Sequence, residues 1–202
     1  MNKHEKYSVK KYDGIARVYD TAFEGRFTAR FISKMLELCK VSDGDMVLDV
    51  GCGNGSLING IRQKGNIKAY GVDLSPNMIE ECRKRYSEIE FVVSSGEVLP
   101  FDNGVFDTLT ICCVLHHLND PQRFFREAHR VLKPGGTLIV GDPWFPFGIR
   151  QLFDWVVSPL LKAGDNKIFG HKRLKGLFTG NGFAVTEIFK QGSMQVVKGR
   201  KL

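Results

Sequence analysis

The sequence predicts an α/β fold: a mostly parallel, seven-stranded sheet with helices on both faces and a C-terminal antiparallel hairpin. Three observations predict it. Short apolar runs alternate with amphipathic stretches from Met46 to Gly141. The first of these runs passes directly into a glycine-rich turn. Two further strand-like segments near the end are joined by Gln191-Gly192-Ser193, a hairpin spacing. Strands alternating with helices imply right-handed crossovers and a sheet covered on both sides.

Taken in order, Met1–Gly14 is polar and lysine-rich and carries no predicted element; it has no apolar core of the signal-peptide kind. Phe27, Phe31, Met35, Leu36 and Leu38 follow helical spacing within Arg26–Lys40. Met46–Val50 is a buried strand meeting a turn, and Ser56–Lys64 is the helix after it. Lys68–Val72 reads as a strand, and Pro76–Tyr86 as a helix with proline in its first turn. Glu90–Ser94 and Phe106–Cys113 are the third and fourth strands. Asp120-Pro121 opens a helix through Leu132, Lys133-Pro-Gly-Gly136 closes it with a turn, and Thr137–Gly141 is the fifth strand. Ile149, Leu152, Phe153, Val156, Val157, Leu160 and Leu161 form an amphipathic stripe interrupted by Pro159. A short helix over Lys172–Phe178 precedes the hairpin strands Phe183–Phe189 and Met194–Lys198.

No repeat or low-complexity linker divides the 202 residues, so one domain is expected. Within it, 12–40 forms an N-terminal helical segment and 142–180 an inserted, lid-like segment. A composition of 43% hydrophobic and 25% charged residues is that of a soluble globular chain. No apolar run approaches the roughly 20 residues that span a bilayer. Five cysteines without a C-x-x-C pair support neither a zinc site nor a disulfide framework, so no metal is expected. Reduced thiols in a cytoplasmic protein fit better. The net charge of +7 is concentrated near the two ends and around Lys162–Lys175. It reads either as solvated surface or as a face for an anionic partner, a nucleic acid or an acidic lipid.

The decisive stretch is Val47-Leu-Asp-Val-Gly-Cys-Gly-Asn-Gly-Ser56. Glycines in alternate positions allow positive φ and let a ligand approach the backbone closely. Such a loop alone suits several nucleotide-binding folds. Two features narrow it. Leu57 stands where a dinucleotide fingerprint wants a small residue. Asp49, two residues before the first glycine, would repel a pyrophosphate and attract an ammonium or sulfonium. Further on, Asp73 ends the second strand, where a carboxylate can accept from both ribose hydroxyls, or alternatively serve a turn or helix cap.

Val47–Ser56, Asp73, Leu99-Pro-Phe101, Phe106-Asp107, Leu115-His-His117 and Leu132-Lys-Pro-Gly-Gly136 occur in the order found in class I S-adenosylmethionine-dependent methyltransferases. The chain most resembles the type 11 branch, which includes the quinone-biosynthesis methyltransferases. The resemblance covers about Tyr12–Val140 and implies a Rossmann-like sheet with S-adenosyl-L-methionine as cofactor. It implies that Gly51, Gly53 and Gly55 line the methionine and ribose side, Asp49 acts on the amino group, and Asp73, followed by Leu74, holds the ribose. Many relatives place an aspartate four residues before Leu-Pro-Phe for the adenine amino group. This chain has Ser95 there, a neutral acceptor, with Gly96 and Glu97 completing the loop. Cys112 matches a position touching the methionine part, or else is plain core.

Methyl transfer from a sulfonium is a direct displacement in which the protein mainly aligns the reactants and excludes water. His116 and His117 follow the fourth strand at the ligand-binding edge, as hydrogen-bonding groups or as a base. A small-molecule acceptor is expected to meet the N-terminal stretch Tyr12–Phe27 and the insertion Asp142–Phe169, with Tyr12, Tyr19, Trp144, Phe147 and Trp155 as candidate contacts. The same aromatic residues can equally be core. Trp144, Phe145, Phe147 and Trp155 beside Arg150 and Lys162 also admit contact with a membrane surface.

Two rival functions keep the same fold. A nucleic-acid methyltransferase would suit the positive charge. Against it, Val114-Leu-His-His117 replaces the Asn/Asp-Pro-Pro-aromatic motif of the base-amino enzymes, and no Pro-Cys dipeptide occurs. A protein that binds the cofactor without catalysing is the other. A nicotinamide dehydrogenase is disfavoured by Asp49 and Leu57.

Overall fold

The computed structural model describes residues 3–145 and 168–202. Its centre is a seven-stranded sheet in the order β3-β2-β1-β4-β5-β7-β6. The strands are β1 (Met46–Val50), β2 (Lys68–Asp73), β3 (Glu90–Val93), β4 (Phe106–Cys112), β5 (Leu132–Pro143), β6 (Phe183–Gln191) and β7 (Met194–Lys201). Strands β1 to β5 pair in parallel, and β7 runs antiparallel to both β5 and β6. The fold class expected from alternation is the one observed, including the hairpin.

The helices are α1 (Lys3–Ile15), α2 (Phe23–Leu38), α3 (Ser56–Arg62), α4 (Pro76–Arg85), α5 (Pro121–Val131) and α6 (His171–Gly180). Successive side chains of a strand point to opposite faces, so each strand feeds two cores. Val47, Ile139 and Val196 pack with Phe31 and Met35 of α2, Ile58 of α3 and Ile79 of α4. Their neighbours Leu48, Leu138 and Val197 pack with Phe124, Phe125 and Ala128 of α5 and Leu174 and Phe178 of α6. Strands buried on both sides read as continuous apolar runs, which is why Met46–Val50 and Leu109–Cys112 looked as they did.

Two elements differ from expectation. The polar opening forms α1, and the next residues, Ala16–Thr21, form a 3-10 turn. Lys133–Gly136, expected as a turn, lies inside the span of β5. The β4 register passes from Phe106↔Leu132 to Thr108↔Thr137, so the Lys-Pro-Gly-Gly residues loop out of the ladder as a bulge. Lys133 Nζ reaches both oxygens of Asp107, at 2.8 and 2.7 Å, and Asp107 also accepts the Met46 backbone N–H at 2.8 Å. The Phe-Asp and Lys-Pro-Gly-Gly motifs thus brace one end of the sheet. The amphipathic stripe from Ile149 to Leu161, with Phe147 and Trp155 and most of the expected lid, lies outside the described residues. No helix among the described residues is long and apolar enough to cross a membrane.

Candidate active site

Strand order reverses between β1 and β4: the chain winds outward from β1 through β2 to β3, then crosses to β4 and β5. At such a switch point the loops leaving adjacent strands diverge and open a crevice at the carboxyl ends. A cleft of about 980 Å³ opens there, lined among others by Asp49, Gly51, Gly53, Asp73, Leu74, Ser95, Gly96, Glu97 and Cys112. Tyr12, Tyr19 and His117 close its other side.

The glycine-rich loop begins where β1 ends. Gly51, Gly53 and Gly55 all have positive φ, at 68°, 53° and 76°. Only Gly51 and Gly53 line the cleft. Gly55 sits at the N-terminus of α3, and a Cβ there would lie 2.9 Å from the Tyr86 ring and 3.2 Å from Cys82 Sγ. Its role is to let the loop turn against α4, away from the ligand space.

Asp49 is 2% exposed, and the Thr110 hydroxyl donates to its Oδ1 at 2.7 Å. Burial pushes its carboxyl up to about 7, against the Thr110 bond that favours the anion; the nearby Asp73 charge pushes in the same direction as burial. Asp73 ends β2 half-buried. Its Oδ2 accepts the Gly53 N–H at 3.0 Å and its Oδ1 the Ser75 N–H at 2.9 Å. The carboxylate therefore ties the glycine loop to the start of α4, and Ser75 rather than Asp73 caps that helix, accepting from Met78 N–H at 3.1 Å. Burial also raises the Asp73 carboxyl. Each oxygen keeps a lone pair for another donor.

Ser95 lines the cleft, and its hydroxyl accepts the Glu97 N–H at 3.2 Å. Glu97 is 7% exposed; its Oε1 accepts the backbone N–H groups of Asn119 and Asp120 at 2.7 and 2.9 Å. That carboxylate holds the approach to α5. Cys112 and the following Cys113 both border the cleft, and Cys113 is the one non-glycine with positive φ among the described residues, at 55°. Contact with Cys113, and then burial, push the Cys112 thiol well up, so it is a neutral wall rather than a nucleophile.

The two histidines separate. His117 borders the cleft with Nε2 3.1 Å from the Tyr12 hydroxyl. His116 is turned into the protein, its Nδ1 donating to Asp142 Oδ1 at 2.8 Å. Their rings are 4.0 Å apart. Trp144 is not at the cleft. Its ring lies under Lys190 Nζ at 5.5 Å, and its backbone N–H donates to the Ser193 carbonyl of the hairpin at 2.9 Å. Tyr19 lies over the loop, about 3.9 Å from where a Gly53 Cβ would stand, and its hydroxyl is 3.3 Å from Thr28 Oγ1.

Sequence reasoning named Tyr12 and Tyr19 on this side but missed the rest of the site's cover. Helix α1 contributes Glu5, Ser8 and Tyr12 to the lining, and α2 contributes Thr28 and Ile32. Asp13 accepts from Ser75 Oγ at 2.5 Å and Asn77 N–H at 3.2 Å; Asp20 accepts from Asn54 and, at 2.8 Å, from Arg85. These partners lie far along the chain, so no spacing within the N-terminal segment signals them. No three or more His, Cys, Asp or Glu among the described residues are arranged to hold a metal ion.

The residues fit a cationic nucleoside. A buried carboxyl that burial raises to about 7, a backbone cradle of two glycines and a second carboxylate on the neighbouring strand share one cleft. Residues 48–140 match the family model described as a methyltransferase domain. The chain is 31% identical over 180 residues to an uncharacterised protein of Methanocaldococcus jannaschii, a match covering 87% of this chain and 66% of that protein. It is 36% identical over 100 residues to a demethylmenaquinone methyltransferase of Chlorobaculum tepidum, covering 50% and 41%. It thus spans less than two thirds of the length of these relatives. Among solved structures, a SAM-dependent methyltransferase of Thermotoga maritima superposes with a TM-score of 0.75 at 22% identity, over 96% of this chain and 100% of the other.

Proposed function

We propose that the protein transfers a methyl group from S-adenosyl-L-methionine to a small-molecule acceptor, a reading supported by the match of residues 48–140 to the methyltransferase-domain family model. The observation that carries the reading is the pair of half-buried and buried carboxylates, Asp73 and Asp49, at the carboxyl ends of adjacent parallel strands beside one glycine turn. A ligand with ribose hydroxyls and a cationic end answers both.

In this reading Asp73 accepts from the ribose through the lone pairs left by Gly53 and Ser75. Asp49 faces the cationic amino acid end, and its ionisation is drawn out by that charge. Adenine lies against Leu74 and the 94–97 loop. The Ser95 hydroxyl, which accepts the Glu97 N–H, keeps its own O–H and a second lone pair for the ring, and the Gly96 N–H is a further donor. When bound, the sulfonium supplies an electrophilic methyl group that is taken by displacement, leaving a neutral sulfide. Tyr19 covers the loop and, with Thr28 and Ile32, keeps water from the reacting side. The acceptor enters between α1 and His117, where Tyr12 and Val114 offer a mixed aromatic and apolar wall. The buried free cysteines suit a reducing compartment, the cytoplasm in this reading.

Calorimetric titration with S-adenosylhomocysteine tests the cofactor, and methyl release across thiol, phenol, quinol and amine acceptors tests the transfer. No heat with the first, or salt-sensitive RNA binding with methylation of a nucleotide, would overturn the reading.

A further inference from the structure

The cleft holds a tyrosine–histidine pair to which the methyl-transfer reading assigns no proton transfer. The Tyr12 hydroxyl and His117 Nε2 are 3.1 Å apart, and both residues border the cleft. The rings meet edge to face, with centroids 5.9 Å apart and an interplanar angle of 77°. Behind His117 lies the His116 ring at 4.0 Å, fixed by the buried Asp142 carboxylate at 2.8 Å. Asp142 is fully buried, and its Oδ2 has no hydrogen-bond partner among the described residues. A carboxylate held there favours positive charge on the imidazoles before it.

Resting on the methyl-transfer reading, we propose that Tyr12 and His117 form a relay that takes the proton of a hydroxyl acceptor, so that the substrate class is phenols or enols. The acceptor's O–H proton passes to the Tyr12 oxygen while Tyr12's own proton passes to His117 Nε2. The acceptor oxygen forms the new C–O bond as the donor's C–S bond breaks with its electron pair remaining on sulfur. The imidazolium then releases its proton to solvent, and charge and atoms balance. Tyr12 and His117 are the catalytic residues of this step, and His116 and Asp142 are positioning residues.

The other cleft acids and bases suit the task less. Asp49 faces the Thr110 side of the glycine loop, and Asp73 is occupied with Gly53 and Ser75. Burial pushes the Tyr19 phenol well above its usual value. The charges facing the relay are known from each element around it. On α1, Lys11 Nζ stands 5.6 Å from the Tyr12 ring centroid and Glu5 borders the same cleft. On α2, Glu24 pairs with Lys11 at 2.8 Å. Burial would raise Glu24, yet the Lys11 bond and a smaller contribution from His117 bring it below its usual value. Asp142 acts from β5, and Glu97 is held by the loop before α5.

The test uses the full chain saturated with S-adenosylhomocysteine and 4-nitrophenol as the probe, whose anion is coloured. In the wild type the probe is expected to bind as its anion about one pH unit or more below the value at which it ionises free in the same buffer. Nitrogen-15 signals of His117 should move to the imidazolium form in step. Tyr12→Phe and His117→Asn should each lose that shift by tenfold or more while keeping affinity for S-adenosylhomocysteine. Asp142→Asn should move the His117 titration without removing it. A probe that stays neutral or fails to bind in the wild type overturns the relay and leaves the methyl-transfer reading standing. So does a shift that survives in both Tyr12→Phe and His117→Asn. Failure of S-adenosylhomocysteine to bind overturns both.

Discussion

Asp49 and Thr110 are register partners on the parallel pair β1 and β4, and the Thr110 hydroxyl donates to Asp49 Oδ1 at 2.7 Å. That single neutral donor does not replace the water an aspartate loses on burial, so the carboxyl holds its proton up to about pH 7 in the free protein.

The sign of the consequence for stability follows from linkage. A carboxyl raised in the folded state destabilises the fold as pH rises from its unfolded value, about 3.9, to about 7, and the loss is constant beyond. Asp49→Asn removes the effect while keeping an acceptor for Thr110. It should stabilise the ligand-free chain at about pH 8 by up to about 4 kcal/mol and leave it unchanged near pH 3. Denaturant melts at the two pH values check this; equal melts for both proteins at high pH would show Asp49 already ionised at no cost.

The same carboxyl makes affinity for a cationic ligand depend on pH. Below about 7 binding must expel one proton, so affinity for S-adenosylhomocysteine should fall by up to tenfold per pH unit there and level off above. Calorimetry in buffers of differing ionisation heat would count the released proton, and Asp49→Asn should flatten the profile.

Asp73→Ala should weaken S-adenosylhomocysteine binding by about 2 kcal/mol or more, because charge-assisted bonds to the ribose are lost. It also frees the Gly53 and Ser75 N–H groups, so the loop loosens. Asp73→Asn keeps one acceptor and separates the two effects: a folded Asn variant with wild-type affinity would remove Asp73 from the ligand's contacts.

Gly53 and Gly55 should respond differently to alanine. At Gly53 a Cβ meets nothing closer than 3.9 Å, so Gly53→Ala costs about 1 to 2 kcal/mol of backbone strain and obstructs the cleft. At Gly55 a Cβ meets Tyr86 at 2.9 Å, and Gly55→Ala should lower stability more than that. Affinity should fall more for Gly53→Ala and melting temperature more for Gly55→Ala.

Arg130 pins the Leu99-Pro-Phe101 loop. Its guanidinium donates to the carbonyls of Leu99 at 2.9 Å and Phe101 at 2.7 Å, and forms two 2.8 Å bonds with Glu127, which accepts the Leu99 N–H. Arg130→Lys keeps the charge and loses the fork, at a cost of about 2 kcal/mol read by denaturant unfolding. An unchanged midpoint would mean that solvent satisfies that loop.

The sheet was legible because its signals are local. Val47, Leu48 and Val50 are apolar together since both faces of β1 are buried, and Asp49 stands out among them. The residues that the cleft gathers from β1 and β2 were legible for the same reason: Asp49 and Asp73 sit at a strand's end, with Gly51 and Gly53 in the turn after the first. Gly55 carried the same loop signature but serves packing on Tyr86, a contact with another element that no spacing reveals. Helix α1 was illegible because it lacks an apolar stripe. Its polar side chains find their partners far along the chain, Tyr12 with His117 and Asp13 with Ser75. Trp144 misled because aromatic content says nothing of direction; its backbone is already committed to Ser193.

Strand β7 lies between β5 and β6, although β6 precedes it in the chain. During synthesis on the ribosome β6 therefore emerges with no place in the sheet, since every ladder bond it makes is to a strand not yet translated. The parallel half can form first, while Ile139 and Val140 wait for Val196 and Val197 to cover them. Slowing translation between the two strands should prolong a state that chaperones recognise, a vulnerability imposed by strand order alone.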